Sequence, residues 1–172
     1  MKRIVAAFEF LTILCRLRRF QPSAPMVGKA AAFFPVVGLA LGLSVALLAR
    51  TLENYVDAEI LSTTLVAFLI LATGGLHLEG LEKTFDAPGL RRSMAGSEPS
   101  SSAIGIVAIL FVILFKIRSI DILEEKLTLA LVLTPVMARS AMLVFMYRSH
   151  RRSEGETSVI APNVKFWHIV LA

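Results

Sequence analysis

Residues 30–49 read AAAFFPVVGLALGLSVALLA and form an apolar run without a charged side chain. A run of about 20 apolar residues is long enough to cross a bilayer as a helix. Pro35 should distort this helix near its start, because proline lacks a backbone N–H and its ring clashes with the preceding turn. Gly38 and Gly42 have the GxxxG spacing, which lets a second helix approach closely, either in the same chain or in another copy.

Further apolar runs follow at residues 58–76, 103–117 and 127–147. The chain of 172 residues is 56% hydrophobic, with a mean hydropathy of +0.72, and is far more apolar than a typical soluble domain. The runs are continuous rather than alternating, which disfavours a β-barrel. We therefore predict an all-α, polytopic integral membrane bundle with about four spans, organised as a single membrane domain over residues 1–172.

Shorter elements are expected at both ends of this bundle. Residues 4–14 form an apolar helix too short to span, which favours an interfacial or re-entrant position. Residues 15–29 are basic and contain two prolines, and they predict a loop at the membrane surface. Residues 164–172 resemble the beginning of a further helix, so we expect the domain to be incomplete at its C-terminus. The single cysteine excludes an intrachain disulfide.

The distribution of basic residues predicts the orientation. With four spans, one side of the membrane receives thirteen Lys and Arg and the other receives four. This asymmetry places both ends of the chain in the cytoplasm and indicates a multi-pass protein of the inner or plasma membrane. The net charge of +5 fits cytoplasmic flanks against anionic lipid. No basic patch alternates with aromatic residues, so we expect no nucleic-acid partner.

The most polar part of this apolar chain is residues 73–92, TGGLHLEGLEKTFDAPGLRR. If residues 76–86 are helical, Glu79, Glu82 and Asp86 share one face. Carboxylates grouped in this way, without cysteine, favour a hard cation such as Mg²⁺, which also binds substrate phosphates. The alternative is a solvated acidic face balanced by Lys83. His77 is a further polar group that could contact a substrate or lie at the interface.

Arg139 stands near the middle of a predicted span, where a charge costs about 2.5–3.5 kcal/mol on insertion scales. It should therefore either bind an anionic group of a substrate or form a buried ion pair. Arg91 and Arg92 could contact phosphate or act as a solvated anchor. Lys116 and Arg118 are expected to extend towards the opposite membrane surface.

The stretch TGGLHLEGLEKTFDA resembles the TGGxHLDGLADTxDG signature of the cobalamin-5′-phosphate synthase family, the adenosylcobinamide-GDP ribazoletransferases. Three other parts resemble this family in the same order. They are FEFLTILCRL, FFPVVGLALG, and the pair IGIVAILFVILFKI and LTPVMARSAM. The resemblance covers almost the whole chain.

The resemblance implies a Mg²⁺-dependent membrane transferase of cobalamin biosynthesis. Such an enzyme joins adenosylcobinamide-GDP with α-ribazole, or its 5′-phosphate, and releases GMP. Catalytic roles are then expected for Glu79, Asp86 and Arg139. The remaining expected contacts are to substrate, by His77, Arg91 and Arg92, and to metal, by Glu79, Glu82, Asp86 and Glu98. A homo-oligomer is a further expectation, because GxxxG permits one.

The chain departs from the family pattern at several positions. Glu79 and Lys83 stand where the family has Asp, and Ala87 stands where it has Gly. In the later KDSRxG segment, Glu98 is the candidate replacement for the family's Asp. The C-terminal GGxTGDxxGA pattern is not found in the sequence. These departures suggest the alternative of a weakened or inactive homologue that binds a corrinoid at the membrane.

Overall fold

The computed structural model describes residues 2–13, 24–85 and 103–149. These residues contain α-helices and short 3₁₀ turns and no β-strand. The helices are α1 (Lys2–Leu11), α2 (Ala24–Ala30), α3 (Phe34–Leu52), α4 (Ala58–Thr73), α5 (Leu76–Phe85), α6 (Ala103–Asp121) and α7 (Leu127–Ser149). The all-α prediction is confirmed, while the predicted partial helix at residues 164–172 lies outside the described part.

Helices occupy all four predicted apolar runs, but fewer of them qualify as membrane spans. Met26–Leu52 and Leu127–Met146 are long and apolar enough to cross a membrane. Helices α4 and α5 form a pair bent by 86°, which adds a third span only if the pair is counted as one. The structure therefore supports two or three spans in the described residues, against the prediction of about four. Helix α6, which carries Lys116, Arg118 and Asp121 near its end, is not among them.

The start of the first span differs from the sequence prediction. Residues 24–29 are helical rather than part of a surface loop, and Met26–Leu52 is one long helical stretch. Pro25 lies in the first turn of α2, where proline's missing N–H removes no intrahelical bond. The distortion expected at Pro35 takes the form of a 3₁₀ turn at Ala31–Phe33, immediately before α3.

Helices α3 and α7 form the most extensive helix contact in the described structure. The two glycines of the GxxxG pair lie in it. An added Cβ on Gly38 would stand 2.6 Å from the Pro135 carbonyl oxygen, and one on Gly42 would stand 2.8 Å from Val132. The glycine face is therefore occupied by a helix of the same chain. The homo-oligomer stays a prediction that this packing does not support.

The N-terminal helix belongs to the core. Ala6, Ala7 and Leu11 of α1 are buried in a cluster with Phe34 of α3 and Leu143 of α7. The predicted short apolar helix is therefore present, with one face packed against the bundle. Its position relative to a membrane stays a prediction.

Candidate functional site

A sharp turn at Gly74 and Gly75 directs the polar segment away from α4. Both glycines have positive φ, 63° and 70°, a conformation that side chains disfavour. Their amides cap α4, with Gly74 N–H donating to Leu71 at 3.0 Å and Gly75 N–H donating to Ile70 at 2.9 Å. Helix α5 then begins at Leu76 and runs at 86° to α4.

The end of the N-terminal segment is attached to this turn. The Ile13 N–H donates to the Ala72 carbonyl at 3.0 Å, and Ile13 lies against Gly74. Residues 10–13 consequently line one side of a cavity of about 480 Å³. Its other sides come from Thr73, Gly74, Leu76 and His77, at the bend, and from Ala138, Arg139 and Met142 of α7. The lining is mostly apolar, and its charged or titratable members are His77 and Arg139.

Thr73 holds the His77 ring in place. The His77 Nδ1 lies 3.2 Å from the Thr73 hydroxyl oxygen, and that hydroxyl donates to the Leu69 carbonyl at 2.8 Å. This network favours a proton on Nδ1 and leaves Nε2 as an acceptor. Desolvation at the cavity wall and the positive charges of Lys116 and Arg139 lower the pKa of His77. The imidazole is therefore a neutral hydrogen-bonding group at pH 7.

Arg139 lines the cavity from α7 and is half-buried. No carboxylate of the described residues forms an ion pair with it, so the alternative of a structural ion pair is not seen there. Pro135 stands one turn earlier inside α7 and removes one backbone donor from the helix. The guanidinium is thus available to an anionic group that enters the cavity.

The helix predicted for the acidic motif is present as Leu76–Phe85. At 3.6 residues per turn, Glu79 lies about 200° around α5 from His77, so the two side chains leave opposite sides of the helix. Glu79 and Glu82 share one face, and Lys83 donates to Glu79 at 2.9 Å. His77 and Arg139 thus line the same cavity, whereas Glu79 and Glu82 do not line it.

Several predicted site residues lie outside the described part of the chain: Asp86, Arg91, Arg92 and Glu98. Within the described residues, no three His, Cys, Asp or Glu side chains are grouped closely enough to hold a metal ion. Glu79 and Glu82 supply two carboxylates on one face, which fits the way Mg²⁺ commonly uses one or two carboxylates plus water and phosphate. The metal site stays a prediction.

Lys116 of α6 is half-buried, whereas Arg118 on the same helix is exposed and pairs with Asp121 at 3.3 Å. The extension of both side chains towards the opposite membrane surface stays a prediction.

These features define a helical membrane protein with a cavity that offers apolar walls and cationic contacts. The chain belongs to the cobalamin-5-phosphate synthase family, whose sequence model matches residues 3–172. No solved structure gave a match.

The chain is similar to curated proteins named adenosylcobinamide-GDP ribazoletransferase. Identity is 30% to the protein of Thermoanaerobacter pseudethanolicus, covering 90% of this chain and 64% of that protein. Identity to the protein of Syntrophobacter fumaroxidans is 34%, covering 87% of this chain and 64% of that protein. Identity to the protein of Pseudomonas entomophila is 32%, covering 92% of this chain and 68% of that protein. The chain thus spans slightly less than two thirds of the length of several of these relatives.

Proposed function

We propose that this chain carries out the transfer named for its relatives, joining adenosylcobinamide-GDP with α-ribazole or its 5′-phosphate. The observation that carries the proposal is the cavity in which Arg139 and His77 meet beside the family's histidine-containing motif. Anionic and aromatic substrate groups require this combination of a cationic contact and apolar walls.

The reaction needs little covalent chemistry from the protein. A ribazole hydroxyl oxygen attacks the phosphorus attached to cobinamide, and a new P–O bond forms. The P–O bond to GMP breaks, GMP leaves with the bridging oxygen, and the hydroxyl proton passes to solvent or buffer. Catalysis of such a step depends on positioning and on stabilising negative charge.

The described residues have distinct parts in this proposal. Arg139 binds phosphate oxygens, and neutral His77, held by Thr73, makes a hydrogen bond that orients the substrate. Glu79 and Glu82, on the side of α5 opposite His77, would hold Mg²⁺ together with Asp86 and Glu98, which lie outside the described residues. Mg²⁺ held there would supply positive charge that neutralises phosphate charge.

The proposal extends to location. We infer a multi-pass position in the cell's inner membrane with both ends in the cytoplasm, as the distribution of Lys and Arg predicts. The cavity would then be reached from the cytoplasmic half of the bundle, because α7 lines it with residues 138–142 in the second half of Leu127–Met146.

The direct test uses membranes that contain the chain, supplied with adenosylcobinamide-GDP, α-ribazole or its phosphate, and Mg²⁺. We expect a cobalamin product and GMP in equal amounts. Arg139→Gln and Glu82→Gln should each abolish most of the transfer. Arg50→Gln is the matched control, because Arg50 is exposed and pairs with Glu53, one turn along the same helix end, at 3.5 Å.

Two results would overturn this proposal. Corrinoid binding without product would indicate the non-catalytic membrane component instead. Full activity of Arg139→Gln would show that the cationic contact in the cavity is not needed for the transfer.

A further inference from the structure

Phe10, in the last turn of α1, contributes a phenyl ring to the lining of the cavity. This ring is stacked on the ring of Phe34, with the two centroids 5.9 Å apart and the ring planes inclined by 11°. Phe34 is completely buried in the cluster that joins α1, α3 and α7, so the Phe10 ring lies against a fixed neighbour. Phe10 itself is only partly buried, and it borders the cavity with the remainder of its surface.

Two hydrogen bonds beside Phe10 fix the backbone that carries it. The Thr12 hydroxyl donates to the Phe8 carbonyl at 2.6 Å, and the Ile13 N–H donates to the Ala72 carbonyl at 3.0 Å. The first bond closes the last turn of α1 around Phe10, and the second attaches the following residue segment to the bend. A ring that is fixed before a ligand arrives loses little side-chain entropy on binding, so its contact adds to the affinity.

The composition of the cavity wall favours a flat aromatic ligand over a lipid chain. Leu11 and Met142 add apolar surface, and a methionine sulfur packs well against the edge of an aromatic ring. Arg139 in the same lining would face hydrocarbon if an acyl chain filled the cavity, which is unfavourable for a charged group. A ligand that joins an apolar ring to polar substituents uses both parts of the lining.

We propose that Phe10 forms a stacking subsite for the bicyclic aromatic base of a substrate, which lies on the ring surface that Phe34 leaves uncovered. Stacking of this kind accepts different bases, because every base has a π-face. Under the proposed function, on which this inference rests, two groups have the required chemistry: the benzimidazole of α-ribazole and the guanine of adenosylcobinamide-GDP. The volume of about 480 Å³, within the range of about 300–1,000 Å³ for small-molecule sites, suits a nucleoside and favours α-ribazole.

Equilibrium binding of α-ribazole and of GMP to the purified full chain in lipid nanodiscs tests the subsite without turnover. Calorimetry on the unchanged protein gives the reference dissociation constant for each probe. Phe10→Leu keeps the position apolar and removes the π-face. It should weaken α-ribazole binding by about 2- to 12-fold, the contribution of aromatic stacking beyond buried area. Phe10→Tyr keeps the ring and should retain most of the affinity.

Phe8→Leu is the matched control, because Phe8 lies on the same helix and packs against the same buried cluster but does not line the cavity. It should bind both probes as the unchanged protein does. A loss confined to GMP in Phe10→Leu would support the subsite with guanine as its occupant. Normal binding of both probes by Phe10→Leu would overturn the proposal, as would an equal loss in Phe8→Leu or the binding of neither probe to the unchanged protein.

A label that preserves the ring covers the case in which Phe10→Leu does not fold. 4-Fluorophenylalanine incorporated in place of Phe10 gives a single fluorine NMR signal from the cavity wall. α-Ribazole should shift this signal. The same label in place of Phe145, which is exposed on α7 and outside the cavity lining, should give an unchanged signal. A signal at position 10 that neither α-ribazole nor GMP shifts contradicts the proposal.

The outcomes also separate this inference from the transferase proposal. Base binding that depends on Phe10, in a chain that forms no product, would reject the activity and keep the subsite. Product formation with an unchanged KM for both substrates in Phe10→Leu would reject the subsite and keep the activity.

Discussion

Gly38→Ala should destabilise the bundle, because the added methyl group would meet backbone rather than a movable side chain. Its Cβ would lie 2.6 Å from the Pro135 carbonyl oxygen and 3.0 Å from the Val136 Cα. Carbon–oxygen contacts between helices normally start at about 3.3 Å, so α3 and α7 must separate by about 0.7 Å. A gap of this size removes a quarter to a half of each affected dispersion contact. Overpacking of this kind costs about 1–3 kcal/mol.

Unfolding by SDS from dodecyl maltoside micelles, followed by circular dichroism, measures the change in free energy. Gly80→Ala is the control, because Gly80 is also helical and no atom lies within 4 Å of its added Cβ. That substitution should be neutral or stabilise by up to about 1 kcal/mol. Equal stability of Gly38→Ala and the unchanged protein would refute the packing of α3 on α7 described above.

The same substitution should also reduce transfer. Arg139 lies one turn beyond Pro135 on α7, so a displaced α7 moves the guanidinium relative to the cavity. The loss should appear mainly as a raised KM, since Arg139 is proposed to bind substrate.

Three further results are expected. Gly74→Ala should lower the free energy of unfolding by about 1–2 kcal/mol in the same assay, because φ at this position is +63°. Steric clash is not the cause, since the nearest atom to an added Cβ is 3.8 Å away. Gly74→Asn should cost less, and an alanine variant as stable as the unchanged protein would contradict the left-handed turn. Lys83→Met should change stability by less than about 0.5 kcal/mol, yet lower the Mg²⁺ concentration for half-maximal transfer, because Glu79 loses a positive neighbour at 2.9 Å; an unchanged Mg²⁺ titration would argue against Glu79 as a ligand. EDTA should abolish transfer and Mg²⁺ should restore it; activity that persists in EDTA would reject the metal.

The sequence was sufficient to predict the helical class and the close helix contact at Gly38 and Gly42. A long apolar run has few alternatives to a helix in a membrane, because its backbone must satisfy its own hydrogen bonds. The identity of the partner helix was not predictable in this way. The contact with α7 depends on how the connecting segments fold, and small residues alone do not specify it.

The error at residues 24–29 has a local cause. Prolines and a lysine suggested a surface loop, yet Pro25 falls in the first turn of a helix, where proline is favourable. The position of proline relative to a helix start decides between the two outcomes. Composition does not show that position.

The site was predicted unevenly. The helical face shared by Glu79 and Glu82 follows from their spacing, and the same spacing places His77 on the opposite side of α5. The meeting of His77 with Arg139 depends on the 86° bend after Thr73 and on the packing of α7. These are tertiary features, and no local pattern records them.

The hydrogen bond from Ile13 to Ala72 places residues 10–13 in the cavity wall, and this affects how the chain folds during its own translation. The cavity combines residues near the beginning of the chain with residues 138–142, so it cannot be assembled until α7 has left the ribosome. Before then, the side of α1 that packs on Leu143 in the folded chain has no such contact and remains exposed. Because such distant contacts form late, a ribosome stalled before residue 138 should carry a nascent chain whose N-terminal helix is still open to protease.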